Sequence, residues 1–292
     1  MSRNLAAWLQ TEYHFPALPT VSLIRSYTND VYQVEQGGQK FVLKIYGQGW
    51  RAGDAIRYEI DLLHHLAQAG VPVANALQTI KIFDSRFAVL FEYAAGEKPQ
   101  PPFSNDLYVR FGQAIAGMHQ FSDDFVTSHA RKPIDLAYLI DEPLQLILPL
   151  LDQPAEFLDM AMTIKRRITE LPALDWGAIH GDATLDNLHV TDDGKIILYD
   201  FDSGGPGWRV LDLQGWAIYH PEYREKYEAF LSGYASVRPL HDQDLQASPL
   251  LALALEIWGM KVDLEKRVNP DEARAYVAAE SKRRVEYMSR IP

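Results

Sequence analysis

One carboxylate constrains the fold of this chain more than any other residue. From Ala55 to Ala69 the apolar residues Ile56, Ile60, Leu63 and Ala67 recur at helical spacing, and Gly70 and Pro72 close the segment. Glu59 falls on that apolar stripe, while Arg57, Asp61, His64 and Gln68 take the opposite face. A carboxylate turned inward needs a partner. The preceding segment offers one. Phe41, Leu43 and Ile45 alternate with Val42, Lys44 and Tyr46, so a period of two sets Lys44 on the face opposite the most apolar residues. The expected packing brings the Glu59 helix to the Lys44 strand.

The other elements follow from the same periodicities. Val21 to Tyr46 reads as two strands about a Gly37-Gly38 turn, and Arg86 to Tyr93 as a further strand. Ala94-Ala95-Gly96 and then Pro99, Pro101 and Pro102 mark the best boundary, which divides the chain into residues 1–96 and 97–292. Beyond it, helical spacing covers about Asp106–Gln120, Asp135–Leu151 and Glu156–Leu171, interrupted near Ile179–Phe201 by a short β segment. The expected class is α+β, with a small β-rich part and a larger, mainly helical one.

Composition removes several function classes. Cysteine is absent, which excludes disulfide scaffolds, thiolate metal sites and a cysteine nucleophile. The net charge of −11 argues against a general nucleic-acid binder, and Lys165-Arg166-Arg167 and Lys282-Arg283-Arg284 read as solvated helix faces. Met1–Gln10 has neither a basic n-region nor a long apolar core, so no signal peptide is expected. The most apolar stretches, Leu144–Leu151 and Pro249–Leu255, are too short to span a membrane. A cytoplasmic protein with no obligate protein partner is the expectation.

The chemistry concentrates in Ile179-His180-Gly181-Asp182-Ala183-Thr184-Leu185-Asp186-Asn187, followed by Lys195-Ile196-Ile197-Leu198-Tyr199-Asp200-Phe201-Asp202. Asp192-Asp193-Gly194 between them signals a hairpin, and a two-residue turn at Asp193-Gly194 sets Asn187 opposite Asp200. Two hard oxygen donors at the open end of a hairpin suit Mg²⁺, with waters and substrate phosphates completing its octahedron. Asp182 enters the same space from the loop. Phosphoryl transfer needs such a metal clamp, a carboxylate to take the nucleophile's proton, and a cation for the nucleotide phosphates. Lys44 and Glu59 complete that set.

At these residues the sequence resembles the aminoglycoside phosphotransferase and choline kinase family, whose members share the two-lobed protein-kinase-like fold. The resemblance is concentrated in residues 21–96 and 179–216. It implies that Asp182 is the catalytic base, that Asn187 and Asp200 hold Mg²⁺, and that Lys44, positioned by Glu59, holds the phosphates of ATP. Phe91-Glu92-Tyr93 matches the hinge whose backbone meets the adenine. Ser26-Tyr27-Thr28-Asn29-Asp30 takes the place of the phosphate-covering loop without any glycine, so Thr28 and Asn29 would contact the nucleotide through hydroxyl and amide. Asp202 stands where protein kinases have glycine, and reads equally as a second metal ligand or a carboxylate of the surrounding network. Asp212, with Arg209, matches a position that steadies the catalytic loop.

The implied partners are a nucleotide and a small-molecule acceptor, and the implied reaction is transfer of the γ-phosphate to a hydroxyl group. Between residues 101 and 160, nine acidic residues face three basic ones, a local charge of −6 that suits an amine-bearing alcohol or simply an acidic surface. Trp208, Trp216, Tyr219, Tyr223 and Trp258 are better explained by packing than by an acceptor pocket. Three other readings remain open: a protein Ser/Thr kinase of the same fold, a catalytically silent nucleotide-binding module, and a metallohydrolase built on His180, Asp182, His189, Asp200 and Asp202.

Overall fold

The alternation that separates Lys44 from Leu43 and Ile45 decides the first layer of the structure. A computed structural model describes residues 2–292. After helix α1 (Ser2–Glu12) come strands β1 (Thr20–Ser26), β2 (Asp30–Gln36) and β3 (Gln39–Ile45), then helix α2 (Gly53–Gln68), then β4 (Lys81–Phe83) and β5 (Arg86–Glu92). The five strands form one antiparallel sheet in the order β1-β2-β3-β5-β4. Leu43, Ile45, Val34, Ala88 and Leu90 bury one face of it against Leu5 and Leu9 of α1 and against Tyr13. Each such leucine contributes about 1.5–3 kcal/mol. The sequence reading assigned no element to this first segment, although Leu5 and Leu9 already stand four residues apart.

Helix α2 buries Ile56, Glu59, Ile60 and Leu63, as its periodicity predicts, and also Tyr58, Leu62 and Leu66. The buried face is therefore wider than the predicted stripe. Between residues 21 and 46 there are three strands rather than two. The additional reversal falls at Tyr27–Asn29, where the Tyr27 amide donates to the Asn29 carbonyl across a tight turn that contains no glycine to announce it.

The second hairpin corrects a predicted register. Its strands are Leu188–Val190 and Ile196–Leu198, with His189 opposite Ile197. The connection is three residues long. The Gly194 amide donates to the Thr191 carbonyl, Gly194 adopts a left-handed φ of +82°, and the Thr191 amide then pairs with Lys195. Adding one residue to the turn shifts every pair by one, so Asn187 faces Tyr199, whose amide donates to the Asn187 carbonyl at 3.0 Å. Asp200 comes one residue later, at a φ of +65° that aspartate tolerates better than most residues.

This hairpin joins the sheet's unit through backbone hydrogen bonds. The Ala74 amide donates to the Leu198 carbonyl, the Leu198 amide to the Pro72 carbonyl, and Glu97 and Val190 exchange a reciprocal pair. The segment ending at Gln100, Asp124–Arg131 and Thr184–Asp202 together make one compact unit.

The second unit comprises Pro101–Asp123, Lys132–Ala183 and Ser203–Pro292. Helix α3 (Asn105–Phe121) is capped by the Ser104 hydroxyl, which accepts from the Leu107 amide. The predicted helix over 135–151 is broken into a π-turn at Ala137–Asp141, helix α4 (Glu142–Ile147) and a 3₁₀ turn at Leu148–Leu150. Pro143 and Pro149 each remove an amide donor there. Helix α5 (Ala155–Glu170) matches its prediction to within a residue. Helices α6 (Arg224–Ala235), α7 (Asp242–Leu264) and α8 (Pro270–Met288) complete the unit, and α7 buries a run from Ala247 to Ala254, as a central helix does.

A two-stranded pairing of Trp176–Ile179 with Gly205–Trp208 lies almost wholly outside the expected β segment, and the Gly-Pro-Gly-Trp sequence of its second strand carries no strand signal. Tyr219 is fully buried, and Trp258 stacks on Tyr138 at 5.5 Å. Among the described residues, no helix is long and apolar enough to cross a membrane.

Candidate active site

The inward Glu59 meets the cation its placement requires. Lys44 Nζ donates to Glu59 Oε1 at 3.0 Å and to Asp200 Oδ1 at 2.8 Å, and the Tyr46 hydroxyl donates to Glu59 Oε2 at 2.8 Å. Strand β3 supplies Lys44, helix α2 supplies Glu59, and the end of the second hairpin supplies Asp200, all within the first unit. The Arg25 guanidinium holds the other oxygen of Asp200. Burial works against the Lys44 ammonium, but the carboxylates of Asp200, Glu59 and Asp202 outweigh it and raise the group above the ordinary lysine value. Burial likewise opposes ionisation of Asp200, yet Lys44 and Arg25 hold it well below the usual carboxylate range.

Asp202 is buried in a separate set of donors. Its Oδ2 accepts from Asn29 Nδ2 at 2.9 Å and from Trp50 Nε1 at 2.7 Å, and its Oδ1 accepts from Arg51 Nε at 3.2 Å. Its backbone carbonyl accepts from Arg51 and Arg131. Burial raises the Asp202 carboxyl, but Lys44 and Arg51 bring it below the ordinary value. These contacts tie the Asp202 carboxylate to the Asn29 turn and to the Trp50-Arg51 loop. Asn29 is drawn into the same network, its Oδ1 accepting from the Gly47 amide at 3.1 Å, while Thr28 is partly buried beside it. The sequence reading did not single out Trp50 and Arg51, which lie in a loop with no periodicity. Tyr46 carried a usable signal, since it alternates onto the Lys44 face.

Lys44 and Asp200 line a cavity of about 290 Å³ in the first unit, whose apolar wall includes Val31, Val42, Leu63 and Phe91. Glu92 and Tyr93 lie at its edge, where the Glu92 amide is committed to the Asn75 carbonyl at 2.8 Å. His189 Nδ1 donates to the Ala94 carbonyl at 2.8 Å, and the ring packs edge-on against Tyr199. Asn187 is buried at the head of the second hairpin.

Asp182 belongs to the second unit, two residues before the chain enters the first at Thr184. Its side chain lies in an exposed residue, and its amide points to His180 Nδ1 at 3.4 Å. What fixes this loop is Asp212, buried to 1 % exposure, which accepts from the His180 amide at 2.7 Å and the Gly181 amide at 2.9 Å. Gly181 has a φ of +76°, and a Cβ there would meet the Ser203 carbonyl at 2.3 Å. His119 Nε2 lies 3.0 Å from Asp212 Oδ2, and the Tyr234 hydroxyl 2.8 Å from His119 Nδ1. Burial lowers the His119 pKa despite Asp212, which leaves a neutral ring that donates from Nε2 and accepts at Nδ1. His119 was not foreseen, because a histidine inside a helix gives no sign of its partner.

Among the described residues, no group of three or more His, Asp or Glu side chains could hold a metal ion.

The Lys44 cluster sets a pH window. A carboxylate with a depressed folded pKa adds stability above its unfolded value, about 3.9, and loses it as pH falls through the folded one. Asp200 and Asp202 are of this kind. Lys44 is the reverse, its contribution complete below about 10.4 and lost as pH rises through its elevated folded value. The urea midpoint is expected to drop below about pH 4, and Asp200→Asn to flatten that acid limb. An unchanged limb in the variant would contradict the pairing.

The phosphotransferase enzyme family, abbreviated APH, matches residues 20–240. The chain belongs to that family. An uncharacterized protein of Deinococcus radiodurans is 34% identical over 282 residues, covering 87% of this chain and 80% of its own. Among solved structures, a microcompartment-associated aminopropanol kinase superposes with a TM-score of 0.77 at 22% identity, covering 98% of both chains. The amicoumacin kinase hAmiN, solved with AMP-PNP, Ca²⁺ and Ami, gives 0.74 at 20% identity, covering 98% of this chain and 96% of its own. This phosphotransferase has the protein-kinase-like fold of its family.

Proposed function

We propose that this phosphotransferase binds ATP in the cavity of its first unit and transfers the γ-phosphoryl group to a hydroxyl of a small, amine-bearing molecule. The observation that carries the reading is Lys44, an ammonium buried between Glu59 and Asp200 at the wall of a largely apolar cavity. Lys44 would hold the phosphates, Glu59 would orient it, and Glu92 and Tyr93 would border the base. Thr28 and Asn29 belong to the covering loop, with Asn29 acting through Asp202.

The donor set suits a hard divalent cation. Asp200 is kept ionised and Asn187 offers an amide oxygen, a donor pair of the kind Mg²⁺ takes beside water and phosphate oxygens. Asp200 and Asn187 would hold the ion, with Asp202 supporting the loops around them. When bound, Mg²⁺ neutralises charge on the transferring phosphoryl group. Asp182 would accept the proton of the acceptor hydroxyl as it attacks, and Asp212 fixes the loop that carries it.

The acidic stretch over 101–160 does not itself argue for an amine. Asp106, Asp123, Asp141 and Glu142 are paired with Arg110, with Arg209 and Arg238, with Lys165, and with Lys132. Support for an amino-alcohol acceptor comes from the aminopropanol kinase that shares this fold.

The test is thermal stability with Mg²⁺ and a non-hydrolysable ATP analogue. At ligand near 100 times Kd, a stabilisation of about 2.7 kcal/mol is expected, and it should be largely lost in Asp200→Ala. No shift in the wild type would overturn the nucleotide reading. A phosphorylation screen of amino alcohols, sugars and generic protein acceptors then decides the acceptor, with turnover confined to proteins counting against a small molecule.

A further inference from the structure

Strand β1 contains one residue too many. Leu23 pairs with Tyr32 and Arg25 with Val31, so Ile24 is a bulge with no partner of its own. Across the next ladder Tyr32 pairs with Leu43 and Val31 with Lys44. Residues two apart on a regular strand share a face. Leu23 lies in the row of Leu43, whose face packs against α1, whereas Arg25 lies in the row of Lys44, on the cavity face. The bulge alone makes this possible, and it delivers a second cation beside Lys44.

That cation is held differently from Lys44. The Lys44 side chain is 6% exposed and holds Asp200 Oδ1, while that of Arg25 is 53% exposed and reaches Asp200 Oδ2. A guanidinium so open to water can exchange one anionic partner for another. A guanidinium also presents paired N–H groups that match phosphate oxygens, which a covering loop without glycine otherwise lacks.

We propose that Arg25 is an exchange cation of the nucleotide site: it neutralises Asp200 while no nucleotide is bound and transfers to the polyphosphate when metal and nucleotide enter together. This rests on the nucleotide reading of the cavity. Two consequences have opposite sign. With Lys44 on one oxygen and Arg25 on the other, Asp200 resists a divalent cation that arrives alone. Once phosphates draw Arg25 away, the same carboxylate is freed for the metal, so metal and nucleotide favour each other's binding.

Calorimetric titrations of wild type and Arg25→Gln, first with Mn²⁺ alone and then with AMP-PNP at saturating Mg²⁺, separate the two. The variant is expected to bind Mn²⁺ alone about tenfold more tightly and Mg²⁺–AMP-PNP about tenfold more weakly, the scale of one charge-assisted hydrogen bond. The unliganded variant should still unfold in one cooperative transition, which excludes a folding defect. Affinities that move together, or do not move, overturn the exchange while wild-type nucleotide binding leaves the cavity reading intact. Failure of the wild type to bind Mg²⁺–AMP-PNP overturns both.

Discussion

An Asp182→Asn enzyme is expected to bind Mg²⁺–AMP-PNP as the wild type does and to turn over about 10²–10⁴ times more slowly. Asparagine keeps the size of the side chain but cannot take the acceptor's proton. The loop geometry should survive, because it depends on Asp212 accepting from the His180 and Gly181 amides and on Gly181 at positive φ, neither of which involves the Asp182 carboxylate. Steady-state kinetics with a responsive acceptor, alongside the melting temperature, checks this. Near-normal kcat would remove Asp182 from the chemistry, and a large fall in melting temperature would make its role structural.

The second large effect concerns the Lys44–Glu59 pair. Both side chains are almost fully buried, and Glu59 satisfies Lys44 and the Tyr46 hydroxyl together. Glu59→Ala should cost about 3–5 kcal/mol, since it leaves buried donors without their acceptor. Against a typical total of about 5–15 kcal/mol, the variant would be marginal at best. The double substitution Lys44→Met with Glu59→Leu removes both charges and should recover much of that loss in urea unfolding, yet remain inactive. A double variant as unstable as the single one would mean that the site's geometry, and not its charge, holds these elements together.

Much of this arrangement could be read from the sequence, for identifiable reasons. A lysine on the less apolar face of a strand and a glutamate on the apolar stripe of a helix are each anomalous, and each supplies what the other lacks. What escaped depends on insertions of a single residue, which periodicity does not register. The three-residue turn at Asp192–Gly194 moved Asn187 opposite Tyr199, and the bulge at Ile24 moved Arg25 to the cavity face. The network about Asp202 escaped for another reason. Trp50, Arg51 and Arg131 come from loops, and Arg131 is far from the others along the chain. The division of 135–151 was legible in principle, since Pro143 and Pro149 stood in view.

The seam that carries Asp200 into the first unit is written in peptide groups: Ala74 and Pro72 with Leu198, and Glu97 with Val190. Every residue type brings a carbonyl, and Pro72 is asked for nothing more, so its missing amide is no handicap. Such ties are blind to side-chain identity so long as proline stays out of the donating positions Ala74, Glu97, Val190 and Leu198. Descendants of this chain can exchange residues along the seam through long divergence, and the acid at its end will still be delivered to the same strand lysine.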